Sequence, residues 1–178
     1  MHKDLNQMLF DEAAIRENVT ELGRVITEDY AGKNPMLIAV LKGSFMFMSD
    51  LVRAIDLPCQ IEFLGLSSYG DQTTSTGAVK ITRDLEVNIE GRDVIIVEDI
   101  LDSGLTLSYL MGYLQGRKPA SIEICTLLDK PERRKAEIYP RYKGFQIPDA
   151  FVVGYGLDFA EQYRNLPYIG VLRPEVYQ

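Results

Sequence analysis

Apolar positions recur along this chain in two alternating rhythms. Over residues 11–31, Ile15, Val19, Leu22 and Ile26 fall three or four apart, which marks one face of a helix, and Gly32 supplies a stop. Pro35 opens a short apolar run at 36–41, read as a buried strand, and Lys42-Gly43 breaks it. Phe47, Met48, Leu51, Val52 and Ile55 return to helical spacing ahead of Pro58. Residues 59–66 read as the next strand, and strand character resumes at 79–81. After a turn at Gly91-Arg92 comes the β-branched run 94–97, which suits a central parallel strand covered on both faces. Leu107, Leu110, Met111 and Leu114 then share one face of a helix over 106–115, and further strands are predicted at 122–128, 151–153 and 169–172.

Strands alternating with helices imply an α/β fold, with a mainly parallel central sheet flanked by helices and joined by right-handed crossovers. A chain of 178 residues, 46% of them hydrophobic, fits one domain spanning 1–178 with its own core. In such sheets ligands bind beyond the carboxyl ends of the strands, near a switch in strand order. One segment stands apart: SSYGDQTTSTG, residues 67–77, has no apolar face to bury and is expected to be a mobile excursion.

Charge and composition narrow the function. The formal net charge is −7, and an acidic chain is repelled by a phosphate backbone at long range, so no nucleic-acid partner is expected. Apolar runs fall far short of the roughly 18 residues a membrane span needs, and the opening MHKDLNQMLFDEA lacks an apolar signal core. A cytoplasmic protein with no membrane partner is expected. Cys59 and Cys125 sit in apolar, strand-like runs and are expected to be reduced core thiols. The sole histidine is His2 and no zinc-ligand spacing occurs, which nearly excludes mechanisms that need a histidine base.

The most informative stretch is VIIVEDILDSGLTLSYL, residues 94–110. A buried strand ends in Glu98 and Asp99, a loop follows over 100–104, and a helix begins near Thr106. Gly104 permits a tight bend before the helix. Backbone N–H groups in such a bend converge, the helix dipole adds positive charge, and Ser103 and Thr106 add hydroxyl donors. Residues 102–106 thus form a monophosphate cradle without the GxxxxGK[ST] pattern of a triphosphate loop. The two acids suit vicinal hydroxyls or a hard cation such as Mg²⁺. Phosphate at one end and a diol at the other describe a ribose 5-phosphate. A lone DSG turn would fit an ordinary strand–turn–helix equally well, with acids placed for the helix dipole. The ordered combination of apolar run, acid pair and DSGLT favours the ligand site.

VIIVEDILDSGLT closely resembles the phosphoribosyl-pyrophosphate motif of type I phosphoribosyltransferases, and the resemblance extends over about residues 10–173. Within that family the chain is most similar to the bacterial hypoxanthine(-guanine) branch. The resemblance implies the family fold, with a small hood and a mobile lid loop, Mg²⁺ as cofactor, and a homodimer or homotetramer. It implies phosphoribosyl pyrophosphate and 6-oxopurine bases as substrates. It assigns Asp102, Ser103, Gly104, Leu105 and Thr106 to the 5′-phosphate, and Glu98 and Asp99 to the ribose hydroxyls and metal. Asp102 also becomes the proton acceptor at the purine imidazole. Leu105 stands where vertebrate members commonly carry lysine.

The flanking segments extend the resemblance. Lys42-Gly43 matches the pyrophosphate loop, commonly with a non-proline cis bond before the lysine; alone it would read as a plain turn. Ser68 and Tyr69 match the start of the lid, which would shield an oxocarbenium-like sugar from water. Lys130, in LLDKPERR, matches the residue that contacts the exocyclic oxygen at purine position 6. A lysine only donates, so it favours an oxo group over the amino group of adenine. The following Arg133, Arg134 and Lys135 read as a solvated surface. In IPDAFVVGYGLDFAEQYRNL, Phe151 matches the base-stacking aromatic, Val152 the backbone reader of the base edge, Asp158 a purine-side acid associated with magnesium, and Arg164 a second pyrophosphate contact. Phe151 by itself would read as core, and the GYG lacks the third glycine of a dinucleotide fingerprint.

Rival readings make different demands. A metabolite-sensing regulator that binds nucleic acid needs a basic face, against the charge of −7. A transferase acting on adenine or orotate is disfavoured by Lys130 and the FVVGYGLD segment, which leave hypoxanthine, guanine and xanthine unseparated. A receiver-type phosphorylation domain needs acids after its first strand, where this chain has Leu41-Lys42-Gly43.

Overall fold

The computed structural model describes residues 2–68 and 79–178. In chain order the strands are β1 (Leu5–Phe10), β2 (Met36–Leu41), β3 (Gln60–Ser68), β4 (Val79–Arg83), β5 (Asp93–Leu101), β6 (Ser121–Asp129), β7 (Tyr142–Gln146), β8 (Val152–Val153) and β9 (Ile169–Leu172). The helices are α1 (Glu12–Asp29), α2 (Phe45–Ala54), α3 (Leu105–Gln115) and α4 (Pro174–Tyr177).

A six-stranded sheet runs β4-β3-β2-β5-β6-β7, parallel throughout except for the β3–β4 edge pair. Strand periodicity explains its double coverage. Leu37 and Ala39 of β2, with Ile95 and Val97 of β5, turn to the face that α1 and α2 bury through Ile15, Val19, Leu22, Ile26, Phe47 and Leu51. Met36, Ile38, Val94 and Ile96 turn to the opposite face, where Leu107, Leu110 and Leu114 of α3 close the core. The apolar runs at 36–41 and 94–97 are therefore continuous because both of their faces are covered. Asp11 caps α1 by accepting a bond from the Ala14 N–H at 2.8 Å.

The chain builds outward from β2 to β3 and β4, then returns to the other side of β2 to lay down β5, β6 and β7. The order reverses between β2 and β5, and the loops leaving those two strands flank the crevice where α/β sheets hold ligands. A second, antiparallel sheet of β1, β9 and β8 forms the small hood, with Val153, Leu166 and Leu172 in its own cluster.

Several expectations need correction. β5 does not end at the acids; it continues through them to Leu101, since Ile100 and Leu101 remain paired with Leu128 and Asp129 of β6. β1 and β7 lack a sequence signal. LNQMLF does not alternate and pairs with β9 through two register shifts, while YKGFQ is an edge strand with Gly144 pressed close to the Leu127 carbonyl. Phe151 precedes β8 rather than lying in it. Cys125 is buried, but Cys59 is only half-buried, because it precedes β3. Of the basic run, Lys135 is exposed as expected, whereas the Arg134 side chain is only 11% exposed and bonded on several sides.

Candidate active site

The acid pair sits at the carboxyl end of β5. Burial, and after it the adjacent Asp99 charge, push the Glu98 carboxyl well above the usual carboxylate range. Burial also raises the Asp99 carboxyl above its ordinary value. The Ile100 N–H donates to Asp99 Oδ1 at 2.8 Å and fixes that carboxylate. Beside it passes the loop leaving β2. The Leu41–Lys42 peptide is cis. Gly43 lies so close to Asp99 that a Cβ there would stand 1.8 Å from Asp99 Oδ2, and a Cβ on Gly156 would stand 2.2 Å from the Gly43 carbonyl oxygen. The Asp99 carboxylate and the two backbones fit together only because Gly43 and Gly156 carry no side chain.

Beyond β5 the chain turns into α3. Gly104 is the cap residue of α3, with φ +79°, a conformation that favours glycine. Gly104 has no side chain with which to cap this helix, so the acceptor that a Ser or Asp at that position would give is missing. Leu105 N–H lies 3.4 Å from Ser103 Oγ. Glu98, Asp99, Asp102, Ser103, Gly104 and Thr106 line a recess of about 200 Å³ over this turn. Leu105 belongs to the turn through its backbone and does not line the recess.

A wider cavity of about 570 Å³ opens from the same place. Lys130, Phe151, Val152 and Asp158 line it, and it shares Asp99, Ile100 and Asp102 with the recess. Lys130 is 7% exposed, and its N–H donates to the Leu101 carbonyl at 2.9 Å, which holds it against the end of β5. Phe151, 38% exposed, stacks on Tyr177 at 4.8 Å between ring centroids and meets Phe159 edge-on at 5.7 Å.

Arg164 and Lys42 supply positive charge on the third side. Arg164 donates to the Gly156 carbonyl at 2.7 Å and lies 3.1 Å from Asp158 Oδ1. Glu161 accepts from Lys42 at 3.0 Å and from Arg164 at 3.2 Å, and these bonds hold its carboxyl below the usual range. A cavity of about 660 Å³ between α1, α2 and residues 164–167 lies elsewhere; of the expected site residues only Arg164 reaches it.

The structure thus brings Lys42, Gly43, Glu98, Asp99, residues 102–106, Lys130, Phe151, Val152, Asp158 and Arg164 to one end of the sheet. Ser68 closes β3, and Tyr69 lies outside the described residues. Sequence reasoning missed Arg133, Asp149 and Tyr177, all of which line the wider cavity. Arg133 was visible only as one of three basic residues, and nothing in the local pattern tied Tyr177 to Phe151.

Among the described residues no cluster of three or more His, Cys, Asp or Glu is arranged to hold a metal. The donor set still fits Mg²⁺. Glu98 and Asp99 are adjacent hard oxygen donors whose mutual repulsion and burial disfavour two negative charges, which a divalent cation would relieve. Two carboxylates leave most of the shell to ligand and water oxygens, the usual arrangement for Mg²⁺ with phosphates.

Comparison with known proteins gives a consistent result. The model of the phosphoribosyl transferase domain matches residues 6–160. The hypoxanthine-guanine phosphoribosyltransferase of Bacillus subtilis (strain 168) is 54% identical over 178 residues, covering 100% of this chain and 99% of that protein. The bifunctional protein TilS/HprT of Listeria monocytogenes is 51% identical over 177 residues; the match takes in 99% of this chain but 27% of that relative's length. A crystal structure of a hypoxanthine phosphoribosyltransferase from Staphylococcus aureus superposes with a TM-score of 0.97 at 54% identity, covering 100% of this chain and 97% of that one.

Proposed function

The chain belongs to the phosphoribosyl transferase family, and from that premise we propose that it transfers the 5-phosphoribosyl group of phosphoribosyl pyrophosphate to hypoxanthine or guanine. The products are IMP or GMP and pyrophosphate, and the role is purine salvage. The observation that carries the reading is the meeting of two cavities at Asp99, Ile100 and Asp102, one over a phosphate-type turn and one beside Lys130 and Phe151. A base in the wider cavity and a ribose phosphate in the recess would meet at Asp102.

The residues divide the work. The turn 102–106 holds the 5′-phosphate through backbone amides and the Ser103 and Thr106 hydroxyls. Glu98 and Asp99 grip the ribose hydroxyls. Lys42 and Arg164 take the pyrophosphate and offset its charge as it departs. Phe151 stacks on the purine, Val152 reads its edge through the backbone, and buried Lys130 donates to the 6-oxo oxygen, a position where an amino group would leave two donors facing each other. Asp102 accepts the imidazole proton, a carboxylate base in a chain whose one histidine, His2, lies far from the acids in sequence. Mg²⁺, when bound, would be held by Glu98 and Asp99 at the ribose hydroxyls, and a second ion near Asp158 would help neutralise charge on the departing pyrophosphate. Bond breaking then leads bond making, and positioning supplies most of the acceleration.

Residues 1–178 act in this reading as one catalytic domain in the cytoplasm, assembled as a homodimer or homotetramer, with Ser68 and Tyr69 opening a lid. Among the described residues no helix is long and apolar enough to cross a membrane. The test is direct. The protein is incubated with Mg²⁺, phosphoribosyl pyrophosphate and, separately, hypoxanthine, guanine, xanthine and adenine, and nucleotide formation is followed. Product from hypoxanthine or guanine but not adenine is expected. Absence of product from every base, with phosphoribosyl pyrophosphate still bound, would replace the enzyme with a metabolite-sensing protein.

A further inference from the structure

Arg133 and Asp149 have no place in the scheme above, yet both line the base cavity. Arg133 Nε lies 2.9 Å from Asp102 Oδ1, and its Nη1 lies 3.4 and 3.3 Å from the two carboxylate oxygens of Asp149. Lys130 Nζ lies 3.8 Å from Asp149 Oδ1. Charge therefore alternates along one line, Asp102, Arg133, Asp149, Lys130. The two ends of that line are the groups assigned to the base.

We propose that Arg133 and Asp149 form a rung that fixes the separation of Asp102 and Lys130, and so sets the register of the site on the N7–O6 edge of a 6-oxopurine. The inference rests on the proposed roles of Asp102 and Lys130.

The local fold shows how the rung is built. Pro131–Arg133 is a single tight turn in which the Arg133 N–H returns to the Lys130 carbonyl at 3.2 Å. That turn brings the arginine back beside the lysine that precedes it. The next residue anchors the same turn from behind: Arg134 donates to the Asp102 carbonyl at 3.1 Å, to the Ile138 carbonyl at 2.6 Å and to Asp129. Consecutive arginines thus hold one aspartate, Arg134 by its backbone and Arg133 by its carboxylate. Asp102 Oδ1 is buried and accepts no directed hydrogen bond. The guanidinium contact is one of charge and distance; it occupies that oxygen, and the base proton would go to the other carboxylate oxygen of a side chain that is 42% exposed.

The chemistry needs such a spacer. N7 and O6 lie on one edge of the purine and demand different partners, a carboxylate for the N7 proton and a donor for O6. A lysine side chain has four rotatable bonds and Asp102 sits on a turn, so neither end sets the distance alone. A planar guanidinium between two carboxylates does, because its fork geometry is fixed. Arg133 and Asp149 act through Asp102 and Lys130 and are positioning residues.

The test compares Arg133→Met, Arg133→Lys, Asp149→Asn and the double variant Arg133→Met/Asp149→Asn in the full chain with Mg²⁺, phosphoribosyl pyrophosphate and hypoxanthine. Expected for Arg133→Met is a fall in kcat of about ten- to a hundredfold with a raised KM for hypoxanthine, the size of effect that a misplacement near 1 Å produces. The KM for phosphoribosyl pyrophosphate should stay within twofold. Arg133→Lys should recover part of the loss, since a lysine can meet one carboxylate but not bridge both. The double variant should be no worse than the more severe single one, as for two parts of one unit. Wild-type-like kinetics in both Arg133→Met and Asp149→Asn would overturn the rung. So would equal losses toward base and phosphoribosyl pyrophosphate with a lowered melting temperature, which would make the residues merely structural. A wild-type protein that forms no nucleotide from any base would instead remove the assignments of Asp102 and Lys130 on which the rung depends.

Discussion

Gly43→Ala separates the geometry of the acid pair from the stability of the fold. The new Cβ would stand 1.8 Å from Asp99 Oδ2 and 2.8 Å from its Cγ. Ordinary contact requires the carboxylate to retreat by about 1.5 Å or more. Backbone retreat is blocked on the other side, where Gly156 already touches the Gly43 carbonyl. Asp99 must therefore turn, and turning breaks the bond it accepts from the Ile100 N–H at 2.8 Å. A lost hydrogen bond to a charged group costs about 1.5–3 kcal/mol, and an off-rotamer side chain about 0.5–1.5 kcal/mol more. A destabilisation of about 2–4 kcal/mol would lower the melting temperature by roughly 5–15 °C in a chain of this size and leave it folded at 25 °C. The chemical consequence is larger, because a 1 Å misplacement costs on the order of 100-fold in rate. Steady-state kinetics with phosphoribosyl pyrophosphate and hypoxanthine, alongside a thermal melt, should show kcat/KM down about 100-fold in a protein that still unfolds cooperatively. Activity within threefold of wild type would refute the claim that Asp99 must hold this position, and loss of the folded state would refute the local account of the strain.

Three further outcomes follow from the same geometry. Asp102→Asn should lower kcat by about 10²–10⁴-fold, the range for loss of a general base, while the KM for phosphoribosyl pyrophosphate changes little; retained turnover would remove Asp102 from its role. Glu98 is raised by burial and then by the Asp99 charge, so the folded state binds its proton more tightly than the unfolded chain does. Its contribution is complete below the unfolded value near 4.5 and is lost as pH rises through the higher folded value. Glu98→Gln in metal-free buffer should therefore match wild type in urea midpoint at low pH, exceed it at pH 8, and show a flatter decline between; parallel curves would contradict this. Tyr177→Ala should raise the KM for hypoxanthine about two- to tenfold by freeing the Phe151 ring from the stack at 4.8 Å. Tyr177→Phe should not, and initial-rate kinetics on both variants decide it.

Local physics made much of this protein legible in its sequence. Helical spacing at Ile15, Val19, Leu22 and Ile26 and the apolar runs at 36–41 and 94–97 announced elements that the core confirms, because hydrophobic period is set by backbone geometry alone. Glu98, Asp99 and the DSGLT turn were also readable, since a ligand loop written in adjacent residues carries its chemistry in one place. The hood strand β1 was not, because its partner β9 lies some 160 residues away and its own pattern does not alternate. Arg133, Asp149 and Tyr177 stayed silent for the same reason. A charged or aromatic side chain on a polar stretch reads as solvated until the fold shows what it touches. What the sequence determined by itself was the set of elements and the chemistry of the contiguous loop. Only the tertiary structure decided that Gly43 presses on Asp99, that Tyr177 backs Phe151, and that two arginines of one turn converge on Asp102. Those contacts depend on distances across the chain, and residue spacing in sequence does not encode them.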